Sequence, residues 1–357
     1  NLDQTKIIDF RNFNKFKYLI ELFKSFHLFF LHKILIKILF VEGFFITYIC
    51  SEIVKYNPKI VLTSTDNDLR FYKLKKYFGA RIKFMAIQNG LRSKFHDIFD
   101  NINYNKSELS ADYYFSFGSS IAQYMKKFID VKVIPVGSFK SNLILKKKYE
   151  KKFKKKIKIL YISTFRSRKI DQIFEKRPDG KAIYWKDFIN SEIKLLKLLN
   201  KFCDESNYSL SILGTLRKEH RKEKNFYSKN LIGGYRNFIK KTNKFNNYKV
   251  IDNFDIIVTS ESTLGYEALG RDKKVAFFKK QITPYNDWQY GWPLNLKNKG
   301  LFYSDLISYA EVKRIINNLI STDSSKWKSI LIKEKRANMI YDYKNCKLKK
   351  YLNYEKN

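Results

Sequence analysis

Eight short apolar runs, each ending in small or polar side chains, constrain this chain more than any other feature of its 357 residues. The first four are Lys59 to Thr63, Ile82 to Ile87, Tyr113 to Phe117 and Val131 to Val136. The other four are Ile157 to Ile162, Leu210 to Leu213, Phe254 to Val258 and Val275 to Phe278. Segments of helical period separate many of them, such as Asn190 to Phe202 and Ser262 to Leu269. Near-continuous apolar strands alternating with helices predict parallel sheets covered on both faces. The pattern occurs twice. Between the halves lies KKKYEKKFKKK, a run that repels itself and stays solvated. The expected organisation is a first α/β domain over 1–145 with a helical N-terminal segment, and a linker over 146–156. A second α/β domain over 157–320 and a basic helical tail over 321–357 complete it.

Charge separates the function classes. The formal net charge is +37, yet only 13 of the 71 basic residues are arginine, the usual reader of guanine edges. Ile, Asn, Tyr and Phe, all with A/T-rich codons, are abundant too. A coding bias toward lysine accounts for most of the surplus, and no nucleic-acid partner is expected. An anionic membrane surface is the other partner such charge suits. The apolar stretch from Phe26 to Cys50 is broken by His32, Lys33, Lys37 and Glu42, too often for a spanning helix. It reads as a core helix, or as one lying on an anionic bilayer. No secretory signal pattern is visible. Cys50, Cys203 and Cys346 lie far apart, with no zinc spacing, so a reducing cytoplasmic compartment and no metal are expected.

Ligands of open parallel sheets bind outside the carboxyl ends of the strands. Those ends carry Asp66 and Asp68, Gln88 and Asn89, Ser163, Arg166 and Arg168, Thr215 and Arg217, and finally Ser260, Ser262 and Thr263. In the last case the hydroxyls open a helix, whose free N–H groups and dipole suit a phosphate. Glu267 lies one turn on, within reach of ribose hydroxyls. Arg166, Arg168 and Arg217 match phosphate oxygens bidentately. His96, Asp66 and Asp68 are the competing acid–base candidates. No P-loop and no strand-linked GxGxxG is present.

Ser260 to Val275 resembles the donor-site signature of GT-B glycosyltransferases. Gln88-Asn89-Gly90-Leu91-Arg92, Ile134 to Phe139, Gly291-Trp292-Pro293 and Gly300 to Tyr303 resemble bacterial surface carbohydrate (O-antigen and capsule) biosynthesis proteins. The resemblance spans roughly residues 55 to 305. It implies two Rossmann-like domains facing across a cleft, the first holding the acceptor beside Gln88 and Asn89, the second a nucleotide sugar. It implies Glu267 on the donor ribose, Ser262 and Thr263 on its phosphate, and Arg166 and Arg217 on the leaving nucleotide. The E-x(7)-E and His-Pro motifs of two GT-B groups are absent, which leaves UDP, GDP and CMP donors open. Such an enzyme would move a sugar to a glycan or lipid-linked acceptor at the inner face of the cytoplasmic membrane. Alternatives are an epimerase or polyol-phosphate transferase of the same fold, or a basic RNA- or membrane-binding protein.

Overall fold

The computed structural model describes residues 33–93, 97, 99, 108–147, 156–176, 180–231, 237–242, 245–282, 289 and 291–354. His96, the residues before Lys33 and most of the linker lie outside them. The first domain opens with helix α1 (Lys33–Tyr56), interrupted at Gly43, whose φ of 77° no helix accommodates. Its sheet comprises β1 (Ile60–Thr63), β2 (Lys83–Ile87), β3 (Ser110–Ser116) and β4 (Asp130–Pro135). The four strands pair in chain order, all parallel. Helix α2 (Ser119–Met125) provides the crossover from β3 to β4.

The second domain starts at β5 (Lys158–Ile162), followed by an antiparallel hairpin of β6 (Ile173–Lys176) and β7 (Ala182–Tyr184). Then come α3 (Trp185–Glu205), β8 (Ser209–Leu213), α4 (His220–Asn230) and β9 (Asn237–Ile239). After α5 (Asn246–Asp252) follow β10 (Ile256–Thr259), α6 (Thr263–Gly270), β11 (Lys274–Phe278) and β12 (Tyr303–Ser304). The six-stranded parallel sheet runs β12-β11-β10-β5-β8-β9. β5 and β10 are buried along almost their whole length, because helices cover both faces. The strand order reverses between β5 and β10, so a crevice opens there at the carboxyl edge.

Every one of the eight apolar runs is a strand, displaced by no more than a few residues. The hairpin, β9 and β12 were not anticipated. They are short and partly exposed, so no apolar run marks them. Beyond Ser321 the chain forms α7's successor helices: α7 is Tyr309–Ser321, α8 is Ser324–Asn338 and α9 is Cys346–Tyr354. These return the chain to the first domain. The Ile340 N–H donates to the Phe117 carbonyl at 2.9 Å. Leu348 is buried among Met85, Ile87, Phe115 and Val136.

That return passes over Gly137, which follows β4. Its φ is +81°, and a Cβ there would stand 1.9 Å from the Ile340 carbonyl oxygen. Gly137→Ala is therefore expected to cost about 2–4 kcal/mol, combining left-handed strain with overlap against backbone. Chemical denaturation would check this; a loss below about 0.5 kcal/mol, the range of neutral surface changes, would contradict it.

Candidate functional site

The site is assembled from strand ends of both sheets. Ser262 caps α6, its hydroxyl accepting from the Leu264 N–H at 3.3 Å. Helix and strand approach closely because position 265 is glycine; a Cβ there would lie 2.3 Å from Thr259 Cγ2. One turn along, Glu267 is only 7% exposed. It accepts from the Tyr248 hydroxyl at 3.0 Å and, across the domain boundary, from the Ser138 hydroxyl at 2.5 Å. Burial pushes its carboxyl above the usual range, against the pull of those two donors and of Lys140 and Arg271.

Lys140 and Lys241 are within electrostatic reach of this carboxylate, and Arg217 stands near Lys241. Lys140 comes from the segment after β4, and its ammonium donates to Asn89 Oδ1 at 3.0 Å. Lys241 follows β9, and Arg217 follows β8. Lys241 is held below its ordinary value by burial first and by Arg217 next, with Glu223 and then Glu267 opposing and Lys140 adding to the effect. Lys140 and Lys241 were missed in the sequence because nothing distinguishes them from 56 other lysines. Only the meeting of strand ends that are far apart in the chain singles them out.

The crevice between β5 and β10 holds a second group. The Lys280 ammonium donates to Thr164 Oγ1 at 2.8 Å and lies 3.6 Å from Glu261 and 3.7 Å from Glu192. It also stands 3.1 Å from the centre of the Phe188 ring. Burial lowers the Lys280 pKa and raises that of Glu261. The exposed Arg166 is within electrostatic reach of both, so the pair fixes the field beneath it. Arg166 and Arg168 flank the Phe174 ring of the hairpin, at 5.1 and 5.3 Å. The arginines thus divide between two places: Arg166 and Arg168 beside Phe174, and Arg217 beside Lys241.

Several candidates are otherwise engaged. Ser163 is buried, with its hydroxyl on Glu223 at 2.6 Å and Tyr227 at 2.7 Å, which leaves it no access to a phosphate. The Thr215 N–H also goes to Glu223, at 2.9 Å. Ser260 is buried at 2% exposure below the mouth, whereas Ser262 and Thr263 are half-buried. Asp66 is 1% exposed. Its carboxylate takes two bonds from Arg92, at 2.7 and 3.1 Å, one from Tyr114 at 2.7 Å and one from the Asn89 N–H at 3.0 Å. Both oxygens are engaged within the protein, one of them holding the Asn89 N–H. Asp68 caps a short helical turn and takes a bidentate fork from Arg70 at 2.8 and 2.7 Å, in a more open setting. Gln88 is a brace: its amide accepts from the Phe117 N–H at 2.7 Å and donates to the Gly90 carbonyl at 2.8 Å. Asn89 is exposed at the same edge.

Two Rossmann-like domains with their carboxyl edges turned on a shared cleft define the GT-B fold. Among solved structures, a Methanocaldococcus jannaschii UDP-GlcNAc 2-epimerase in complex with UDP-GlcNAc and UDP is similar. The identity is 15%, over 87% of this chain and 80% of that one, with a TM-score of 0.53. S. aureus MnaA in a co-structure with UDP is similar at 13% identity, over 87% and 77%, with a TM-score of 0.50. These likenesses concern the fold. No curated protein sequence matches the chain. The model of the family described as "putative O-antigen biosynthesis protein" matches residues 85–356, and the chain belongs to that family.

Proposed function

We propose that this chain is a glycosyltransferase of surface polysaccharide or lipopolysaccharide biosynthesis, taking a sugar from a nucleotide-activated donor to a glycan or lipid-linked acceptor. One observation carries the reading: Lys140 and Lys241 reach the buried Glu267 beside the capped start of α6, with Arg217 next to Lys241. A carboxylate for ribose hydroxyls next to cations and the positive end of a helix for a diphosphate matches a nucleotide. The UDP-bound structures of the same fold are consistent with it. In transfer, the bond from the anomeric carbon to the leaving phosphate breaks and negative charge grows on that phosphate. The three cations, Arg166 and the helix start would stabilise the charge without a metal. An inverting reaction also needs a base for the acceptor hydroxyl, a role open to Asp68 and to His96. Domain closure would exclude water. We assign the enzyme to the cytoplasm, at the inner membrane face, with the domain division near residues 146–156.

A second reading is a sugar-nucleotide epimerase of this fold, the activity printed for the Methanocaldococcus jannaschii neighbour. Both readings need nucleotide binding; only transfer needs an acceptor. The test is calorimetry with UDP, GDP, CDP, CMP and dTDP, followed by product analysis with the bound sugar nucleotide. Absence of binding by all five would end both readings. Epimerised product without acceptor would replace the first by the second. Lys241→Ala and Arg217→Ala are each expected to weaken the best nucleotide about tenfold, the worth of one charged contact. The same pair in a nucleoside titration, lacking phosphate, should behave as wild type.

A further inference from the structure

The segments on either side of the site residue Ser138 and near the chain end are locked together. Asn142 donates to Asn345 Oδ1 at 2.9 Å, and Asn345 donates to the Phe139 carbonyl at 3.0 Å. The Tyr341 hydroxyl donates to the Ile144 carbonyl at 2.8 Å. This hydrogen-bonded joint presents large apolar side chains to solvent. Phe139 and Leu143 are each 43% exposed, Leu145 is 65% and Tyr343 is 38%. Phe139 and Leu143 are four residues apart across one helical turn, so they share a face. Four of the exposed large apolar residues therefore fall within two interlocked stretches, a concentration that marks a contact surface rather than scattered exposure.

The rim of this patch is dominated by cations, with Asp342 the acid within it, its carboxylate accepting from the Lys347 N–H at 2.8 Å. Lys140, Lys147, Lys344, Lys347, Lys349 and Lys350 are all exposed. The acids nearby are spent: Asp252 is paired with Arg271, and Asp272 with Lys146 and Lys335. A second copy of the chain would bring the same cations against these. Nucleic acid would want arginine forks, but every rim cation is lysine, and the most exposed apolar side chain is Leu145. Leucine and aromatic side chains ringed by lysine fit the boundary between headgroups and acyl chains of an anionic bilayer.

We infer that the joint of residues 139–147 with 341–350 is the surface by which the protein docks on anionic membrane lipid. Helix α9 supplies part of this rim. Phe139 directly follows Ser138, whose hydroxyl contacts Glu267, so docking here brings the bilayer to the mouth of the nucleotide cleft. In placing a lipid-linked acceptor the inference rests on the proposed function, but lipid binding itself does not.

The experiment is co-sedimentation of the full chain with vesicles of phosphatidylcholine alone or mixed with phosphatidylglycerol, at low and high salt, with no nucleotide present. Wild type is expected on the anionic vesicles and not on the neutral ones. Leu143→Ser/Leu145→Ser should bind the anionic vesicles roughly tenfold more weakly at high salt, where screened lysines contribute least. Lys347→Glu/Lys349→Glu should lose binding at low salt. Both pairs should keep the nucleotide affinity and melting temperature of wild type, which separates this test from that of the proposed function. Wild-type lipid binding by the serine pair, equal binding to neutral vesicles, or a dimer in sedimentation velocity that the serine pair abolishes would each overturn the inference.

Discussion

Glu267→Gln is expected to weaken nucleotide binding by about 1.5–3 kcal/mol, roughly ten- to a hundredfold in Kd, because hydrogen bonds to a charged acceptor are the strong ones. The same change is expected to raise stability in the absence of nucleotide. Burial is the largest influence on this carboxyl and raises its pKa in the folded state. For an acid with a raised folded pKa, the stabilising contribution is complete below the unfolded value, about 4.3. It is lost as pH rises through the folded value. Glutamine removes that penalty while still accepting from Ser138 and Tyr248. Melting temperatures should therefore separate at neutral pH, with the variant higher, and converge in acid. A variant that melts lower at neutral pH while binding nucleotide as wild type would show that Glu267 is a structural strut. Opposite movement of stability and affinity is the signature of a site residue held in an unfavourable environment for function.

Arg271→Met is expected to cost about 3–5 kcal/mol of folding stability, the usual consequence of removing one partner from a buried ion pair. Arg271 ends α6 and is 1% exposed. Its guanidinium forks onto Asp252 at 3.0 and 2.5 Å and donates to the carbonyls of Ile144 at 2.9 Å and Leu145 at 3.1 Å. It thus ties α6 to the end of the first domain. Methionine fills much of the volume but leaves Asp252 charged and those carbonyls unpaired. Urea denaturation measures the loss. Asp252→Asn in the same background should restore part of it, since the stranded charge is the dominant cost. Equal loss in single and double variants would mean that packing, not charge, is what Arg271 contributes.

Asp66 shows why candidate residues divide as they do. From the sequence, an aspartate at a strand end beside a hydroxyl-rich turn is as good a base as Asp68. The structure places Arg92, Tyr114 and the Asn89 N–H on it, three groups brought in by different loops and strands. Ser163 is the same case: a serine following β5 in a promising position, turned inward by Glu223 from a helix sixty residues later. Glu192, Glu261 and Lys280 read as ordinary charged residues and became a buried cluster at the switch point once β5 and β10 stood side by side.

What the sequence determined by itself is therefore local. Apolar runs, hydroxyl stops and the capped helix at Ser262 follow from periodicity and from backbone groups that need partners within a few residues. The two-sheet α/β plan and the edge on which to look for a ligand come from the same signals. What only the tertiary structure decided is which polar groups at that edge remain available. That depends on partners distant in the chain, such as Ser138 meeting Glu267 and Lys140 meeting Asn89, and on how much water each carboxylate loses. Burial and pairing are properties of the folded surroundings, and no spacing in the chain encodes them directly.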